Sequence, residues 1–289
     1  MTARKPVIAL ILALHANAWA GWLDEAGLEL RHDNNVSRAQ LAQDIKGDNA
    51  WLFSTAGGTA YQLADGGRIK LAVTLTGSDY QRYDGLDNLN LGLQLAYIRK
   101  FGLGPYVPEL HLSLSANRLD YRDAMRDGWL SAGEIEIIKR LSERAKVKLE
   151  YVVERRKSDR LGTRVLPEIG ADVHDLTSRN LTVGGEYSLH PQYVLSATYS
   201  RRDGDIVSTT LRNLPVFLAS SAIAADPVFG PEQYAYKMKA LTRGLTLGVS
   251  RIIGAQASLT LGFEHLDSRG PDGIDYTSNL VRVTYLHQF

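Results

Sequence analysis

Cysteine is absent from the 289 residues, which excludes disulfides, thiolate metal sites and a lipid anchor. Long apolar runs are absent as well. Beyond the first twenty residues nothing approaches the ~20 apolar residues that a transmembrane helix needs. The best run, 216–225, is interrupted by Ser220 and Ser221. Charge of one sign is also lacking: 33 Lys and Arg stand against 32 Asp and Glu, a net charge of +1, so nucleic acid is not an expected partner. No internal repeat or low-complexity tract divides the chain, which reads as one domain.

What is present begins with a leader. Arg4 and Lys5 precede an apolar stretch from Val7 to Leu14, and the small residues Ala18 and Ala20 flank Trp19. This is the pattern of a cleaved secretory signal over 1–20, with the cut between Ala20 and Gly21 and a domain at 21–289. Loss of Arg4 and Lys5 takes the net charge from +1 to −1.

After the leader, apolar residues alternate with polar or small ones. In 88–97, Leu89, Leu91, Leu93, Leu95 and Tyr97 oppose Asn88, Asn90, Gly92, Gln94 and Ala96. Strand side chains alternate with a period of two, so such a segment presents one face to lipid and one to water. Twelve segments read this way: 22–32, 49–63, 68–78, 88–101, 106–118, 129–138, 145–156, 179–189, 193–202, 233–250, 255–265 and 276–289. In the tenth, Tyr234, Tyr236 and Met238 are out of phase with Leu245, Leu247 and Val249, as a β-bulge would produce. The expected fold is all-β, a transmembrane antiparallel up-and-down barrel of about twelve strands.

The connections alternate between tight and long. Tight ones at 64–67, 101–105, 139–144, 190–192 and 251–254 separate long ones at 32–48, 78–87, 119–128, 157–178, 203–232 and 267–275. Short periplasmic turns and long extracellular loops give this rhythm, which places both termini in the periplasm. Most Asp residues lie in the long set. Their turn propensity accounts for that, with cation-bridged lipopolysaccharide phosphates as the functional alternative. Tyr61, Tyr80, Tyr97, Tyr106, Tyr121, Trp129, Tyr193, Tyr199, Tyr234, Tyr276 and Tyr285, near strand ends, are expected in two interfacial girdles.

The last eleven residues read NLVRVTYLHQF. Val281, Val283, Tyr285 and Phe289 share one face, while Leu280, Arg282, Thr284 and Gln288 share the other. A closed barrel pairs its last strand with its first and so removes both edges. The chain resembles the outer-membrane β-barrels of Gram-negative bacteria, whose final strand typically ends in Phe after alternating apolar residues. The resemblance implies an outer-membrane location, contact with outer-membrane lipids and lipopolysaccharide, and Tyr285 and Phe289 as a signal for the barrel assembly machinery. No cofactor and no metal are expected.

The face opposite the lipid carries Lys70, Glu109, His111, Lys146, Lys148, Glu150, Glu186, Arg202, Glu264 and Arg282, with Glu29, Arg31, Glu154, Arg156 and Arg243 beside them. Charges inside a barrel must be hydrated or paired. Two readings stand at even weight, a salt-bridge network filling a narrow lumen and a water-filled, weakly selective pore for small polar solutes. Lys146, Lys148 and Arg202 also suggest a cationic track, which Glu150, Glu154 and Glu186 interrupt. His111, Ser113, Ser115 and Asn117 share one strand face, but neighbours two apart lie ~7 Å from each other, too far for direct proton transfer. A lipid hydrolase and a non-conducting structural barrel are the alternatives to the channel.

Two long connections are unusual. The 203–232 stretch holds Val216, Phe217, Leu218 and Ile223, too apolar for a solvated loop, and is expected to fold into the barrel mouth as a constriction or lid. The 32–48 stretch is expected to contain a short helix from Ser37 to Ile45, with Asp33, Asn34 and Asn35 making local side-chain to backbone bonds.

Overall fold

A computed structural model describes residues 22–289, and the leader expected over 1–20 lies outside the described residues. Twelve long antiparallel strands form the wall: β1 (Leu23–Asp33), β2 (Asp48–Gln62), β3 (Arg68–Tyr80), β4 (Asn88–Lys100), β5 (Glu109–Tyr121), β6 (Gly128–Arg140), β7 (Ala145–Ser158), β8 (Leu176–His190), β9 (Tyr193–Thr210), β11 (Tyr234–Ile253), β12 (Ala257–Arg269) and β13 (Asp275–Gln288). Each pairs with its neighbour along the wall, and β13 pairs with β1 from Glu25↔Gln288 to Asp33↔Leu280. The barrel is therefore closed and up-and-down, without a free edge along the wall. A four-residue strand, β10 (Ala222–Ala225), and a short helix, α1 (Leu214–Leu218), lie in the connection between β9 and β11.

The wall follows the two-residue period. Leu91 and Leu93 are 56% and 58% exposed, while Asn90 and Gln94 point inward and are half-buried. Leu71, Leu114, Leu149, Val183, Leu247, Leu261 and Val283 continue the exposed apolar belt on other strands. A belt this extensive is far larger than a water-soluble monomer leaves exposed, and hydrocarbon is the solvent that suits it.

Tight turns occupy one end together with both chain ends of the barrel. In the first, Gly66 takes a positive φ of 82°, which glycine adopts without strain, and the Asp65 carboxylate accepts the Gly67 N–H at 3.0 Å. The long connections gather at the opposite end and build a second layer over the mouth. The apolar core of the molecule lies in that layer: Ile206, Val216, Ile223, Tyr236, Met238, Ala240, Ile274 and Tyr276 form one buried cluster. A second joins Val173, Ala222, Ala224 and Ala235.

Four expectations change here. The β11 strand has no bulge: its register with β9 runs unbroken from Tyr234↔Thr210 to Arg251↔Tyr193. Tyr236 and Met238 face inward because they belong to the core of the second layer, above the lipid belt where Leu245, Leu247 and Val249 face out. Arg243 shares the outward face with Leu245 and is exposed, so it does not belong to the lumen. No helix forms over 37–45. Ser37 is buried there as a loop clasp, its hydroxyl donating to the Asp44 carbonyl at 3.0 Å and accepting from the Lys46 N–H at 3.0 Å. Asn35 completes the clasp by donating to the Ala39 and Thr277 carbonyls at 2.9 Å each. Finally, Tyr80, Tyr121 and Tyr276 lie on the inward face and Tyr234 packs against the buried cluster, so these four leave the girdles. Tyr61, Trp129, Tyr193, Tyr199 and Tyr285 stay exposed on the outer wall, and Tyr106 is exposed in the turn between β4 and β5.

Candidate functional site

The lumen is built from the inward positions of the strands, and most of its charges meet a partner on the same or a nearby strand. Lys70 on β3 reaches across β2 to Asp24 on β1 at 2.8 Å, while Lys146 reaches Glu186 at 3.0 Å and Arg282 reaches Glu264 at 3.3 Å on adjacent strands. Glu109 lies 2.5 Å from His111 and 3.5 Å from Lys100. Lys148 lies 3.0 Å from Glu150 and 3.6 Å from Glu136. Arg202 is the exception among the sequence candidates. It donates to the Asp205 carbonyl at 3.1 Å and has no carboxylate in an ion pair among the described residues. The cationic track suggested by Lys146 and Lys148 is thus neutralised along the wall.

Glu134 and Glu136 on β6 are lumen residues that the sequence reading missed. The signal was available, because Trp129, Ile135 and Ile137 are outward and fix the phase of the strand. The oxygens of Glu134, Glu136 and Glu150 come within 4.8 Å of one another, with the Lys148 ammonium beside them as counter-charge. Ser113 donates to Glu134 at 3.3 Å while His111 is held by Glu109, so each is engaged elsewhere and a serine–histidine pair is not assembled.

A polar cavity of about 370 Å³ runs inside the wall of β1 to β5 and β13, lined by Glu29, Ser54, Thr76, Ser78, Asn88 and Asn90, with Tyr80 and Tyr121 toward the long-loop end. A larger concavity of about 770 Å³ lies on the outside, where Gly185 and Ala197 sit among Val147, Leu195, Leu247 and Phe263. Those side chains belong to the outward apolar face, so it is an indentation of the lipid-facing wall and not part of the lumen.

Over the cavity the 211–233 connection is fastened to its neighbours. Val216 and Ile223 are buried and Phe217 packs against the cluster, whereas Leu218 is 70% exposed. Leu218 is a correction: it ends the single turn of α1 on the side away from Val216, where there is no core to cover it. Asp226, fully buried, accepts from Arg126 Nη2 at 2.7 and 2.9 Å and from Thr209 Oγ1 at 2.8 Å. Phe229 stacks on Tyr83 with ring centroids 4.9 Å apart. The Ile223 N–H donates to the Gly170 carbonyl at 2.8 Å, and Lys237 pairs with Asp172 at 2.6 Å. From the other side, Thr210 Oγ1 donates to Asp44 at 2.5 Å and the Thr209 N–H donates to the Ser37 carbonyl at 2.8 Å. His174, in the 159–175 connection, is buried with its Nε2 unpartnered. Burial, and then the nearby Arg126 and Arg156 guanidiniums, hold its pKa well below the usual histidine range.

The sequence matches no protein-family model and no curated protein. The fold matches solved structures. An outer membrane channel from Pseudomonas putida F1 superposes with a TM-score of 0.57 at 10% identity, over 96% of this chain and all of the other. The KdgM porin aligns over 91% of this chain and 99% of its own at 9% identity, with a looser TM-score of 0.41. At such identities the first likeness shows a shared fold, the closed antiparallel β-barrel, and no more.

Proposed function

We propose that the protein is an outer-membrane channel for small polar solutes, in a conformation closed by its long loops. The observation that supports this most is the polar cavity of about 370 Å³ inside a closed barrel whose outer face is apolar. A wall without free edges and with lipid outside and Ser, Thr and Asn inside has the make-up of an aqueous path across a bilayer. In this reading both termini and the tight turns face the periplasm, the loop layer faces outward near lipopolysaccharide, and Tyr285 and Phe289 are read by the barrel assembly machinery after the 1–20 leader is removed. The Pseudomonas putida barrel of the same fold is described as a channel.

The 211–233 connection is then the lid. Deleting 215–227 removes Val216, Ile223 and Asp226, and with them most of the contacts that hold the layer shut. Refolded full-length protein is expected to give small or infrequent unit steps in planar bilayers, and the deletion variant larger ones. Heat-modifiable migration on gels checks that both are folded. Silence of both would remove the channel reading and leave a structural barrel, which the paired charges along the wall favour.

A further inference from the structure

Four arginines stand in a row on the outer wall, where its apolar belt ends on the long-loop side. On β7, β8, β9 and β11, neighbours along the wall, the outward residue just above the belt is Arg155, Arg179, Arg201 and Arg243 in turn. Each is exposed, and so is the outward residue directly below it on the same strand: Val153, Leu181, Tyr199 and Leu245. On β1 to β3 the outward residues beyond the belt are instead His32, Asn49 and Asp79.

The protein does not neutralise this row. Arg201 and Arg243 are directly opposite in the β9–β11 register, about 5 Å apart at their α-carbons, and like charges so placed repel. Leu181 faces Arg201, so Arg179 is one diagonal step from it; Val153 faces Arg179, so Arg155 is one diagonal step further. None of the four has an ion pair or a side-chain hydrogen bond among the described residues. Asp267, opposite Arg243, pairs with Arg269 at 3.5 Å, and Asp205 pairs with Lys239 at 2.9 Å, which leaves Asp203, opposite Arg179. The row keeps an excess of positive charge.

What lies below the row decides which anion suits it. A soluble anion would leave the belt residues uncovered, whereas a lipid covers them with its chains while its headgroup meets the arginines. The outer indentation of about 770 Å³ lies on the same strands. Ala197 and Leu247, which face each other across β9 and β11, are each four residues below Arg201 and Arg243, about 13 Å along the strand. Gly185 and Ala197 add almost no side chain there, so the wall is recessed enough to seat an acyl chain. We propose that Arg155, Arg179, Arg201 and Arg243 bind the phosphate groups of an acylated lipid of the outer leaflet, with an acyl chain in the indentation below. Guanidinium forks match phosphate oxygens two at a time, and a phosphate between Arg201 and Arg243 removes their repulsion. The proposal rests on the reading that the barrel spans the outer membrane with its loop layer outward. It needs no conductance, so silence in planar bilayers and a missing lipid site are separate results.

The test is native mass spectrometry of the purified, folded full-length barrel in detergent, titrated with bisphosphorylated lipid A. Phosphatidylcholine, whose phosphate is balanced by its own cation, is the lipid control, and inorganic phosphate is the control without chains. Lipid A is expected to stay bound, with phosphatidylcholine at least about tenfold weaker and no displacement by inorganic phosphate at the same concentration. Arg201→Gln and Arg243→Gln should each weaken lipid A by about fivefold, and the double variant by about twentyfold. Ala197→Leu fills the indentation without changing charge and should weaken it by about threefold. Arg251→Gln, on the outward face of β11 at the tight-turn end, should bind as the unaltered protein does. Heat-modifiable migration checks that each variant is folded. Equal retention of phosphatidylcholine, displacement by inorganic phosphate, or unaltered affinity in the folded double variant or in Ala197→Leu would each overturn the proposal.

Discussion

At the tight-turn end a few residues join each pair of strands, the lumen charges stand in neighbouring pairs, and the apolar side chains face outward. At the long-loop end the reverse holds: the connections carry the buried core, and Asp226 meets Arg126 away from water. The wall is stabilised by ladder hydrogen bonds and by hydrocarbon outside it. The lid is stabilised the way a small soluble domain is, by burying Met238, Ile206 and Ile223 against one another. The lid joins the barrel ladder through the four residues of β10 paired with β11, so it is expected to open without unfolding the wall.

The largest expected effect breaks the lid alone. Arg126→Ala leaves the Asp226 carboxylate buried without its cation and should cost the lid about 3 to 5 kcal/mol. Hydrogen exchange should show protection lost over 211–233 and retained in β1 to β8. Uniform loss across the barrel would mean that the two ends are one cooperative unit.

The second tests the wall. Leu93→Arg places a charge on the hydrocarbon face and should cost about 2 to 4 kcal/mol near midplane, whereas Gln94→Arg points into the lumen and should be much milder. Denaturant unfolding from vesicles measures both, and equal penalties would contradict the assigned faces.

The third uses pH to separate the ends. Burial in the closed loop layer disfavours the charged form of His174, so a layer opened by release of the lid takes up its proton more readily. The stability it contributes is full above the ordinary histidine pKa of about 6.5 and falls as pH drops below it toward the lowered value, by at most about 1.4 kcal/mol per pH unit. Exchange within the lid should accelerate on acidification, and His174→Gln should flatten that dependence. A pH response unchanged by the substitution would assign it to another group.

The smallest effect concerns the paired lumen charges. Lys146→Gln removes a half-exposed partner of Glu186 at 3.0 Å and should change barrel stability by about 0 to 1 kcal/mol. A cost of several kcal/mol in the same vesicle assay would show that this part of the lumen is dry.

Sequence alone determined the wall. The alternation in 88–97, 145–153 and 279–289 is local, and two-residue periodicity converts directly into an inner and an outer face, so strand number, phase and closure follow from it. It failed where the same chain leaves the membrane. Tyr236 and Met238 looked like a bulge because the solvent that sets the apolar face changes from lipid to the interior of the lid halfway along one straight strand. Ser37 looked like a helix cap because its partners, Asp44 and Lys46, belong to a loop closed by Asn35 bonding to Thr277 on the far side of the sequence. Only the tertiary structure brought Arg126, Thr209 and Asp226 together, since a turn, a strand end and the 211–233 connection supply them. Pairing follows the same division: the partners of Lys146 and Arg282 lie on adjacent strands whose register local pattern dictates, while the pairing of Arg126 with Asp226 depends on how the loops close over the barrel.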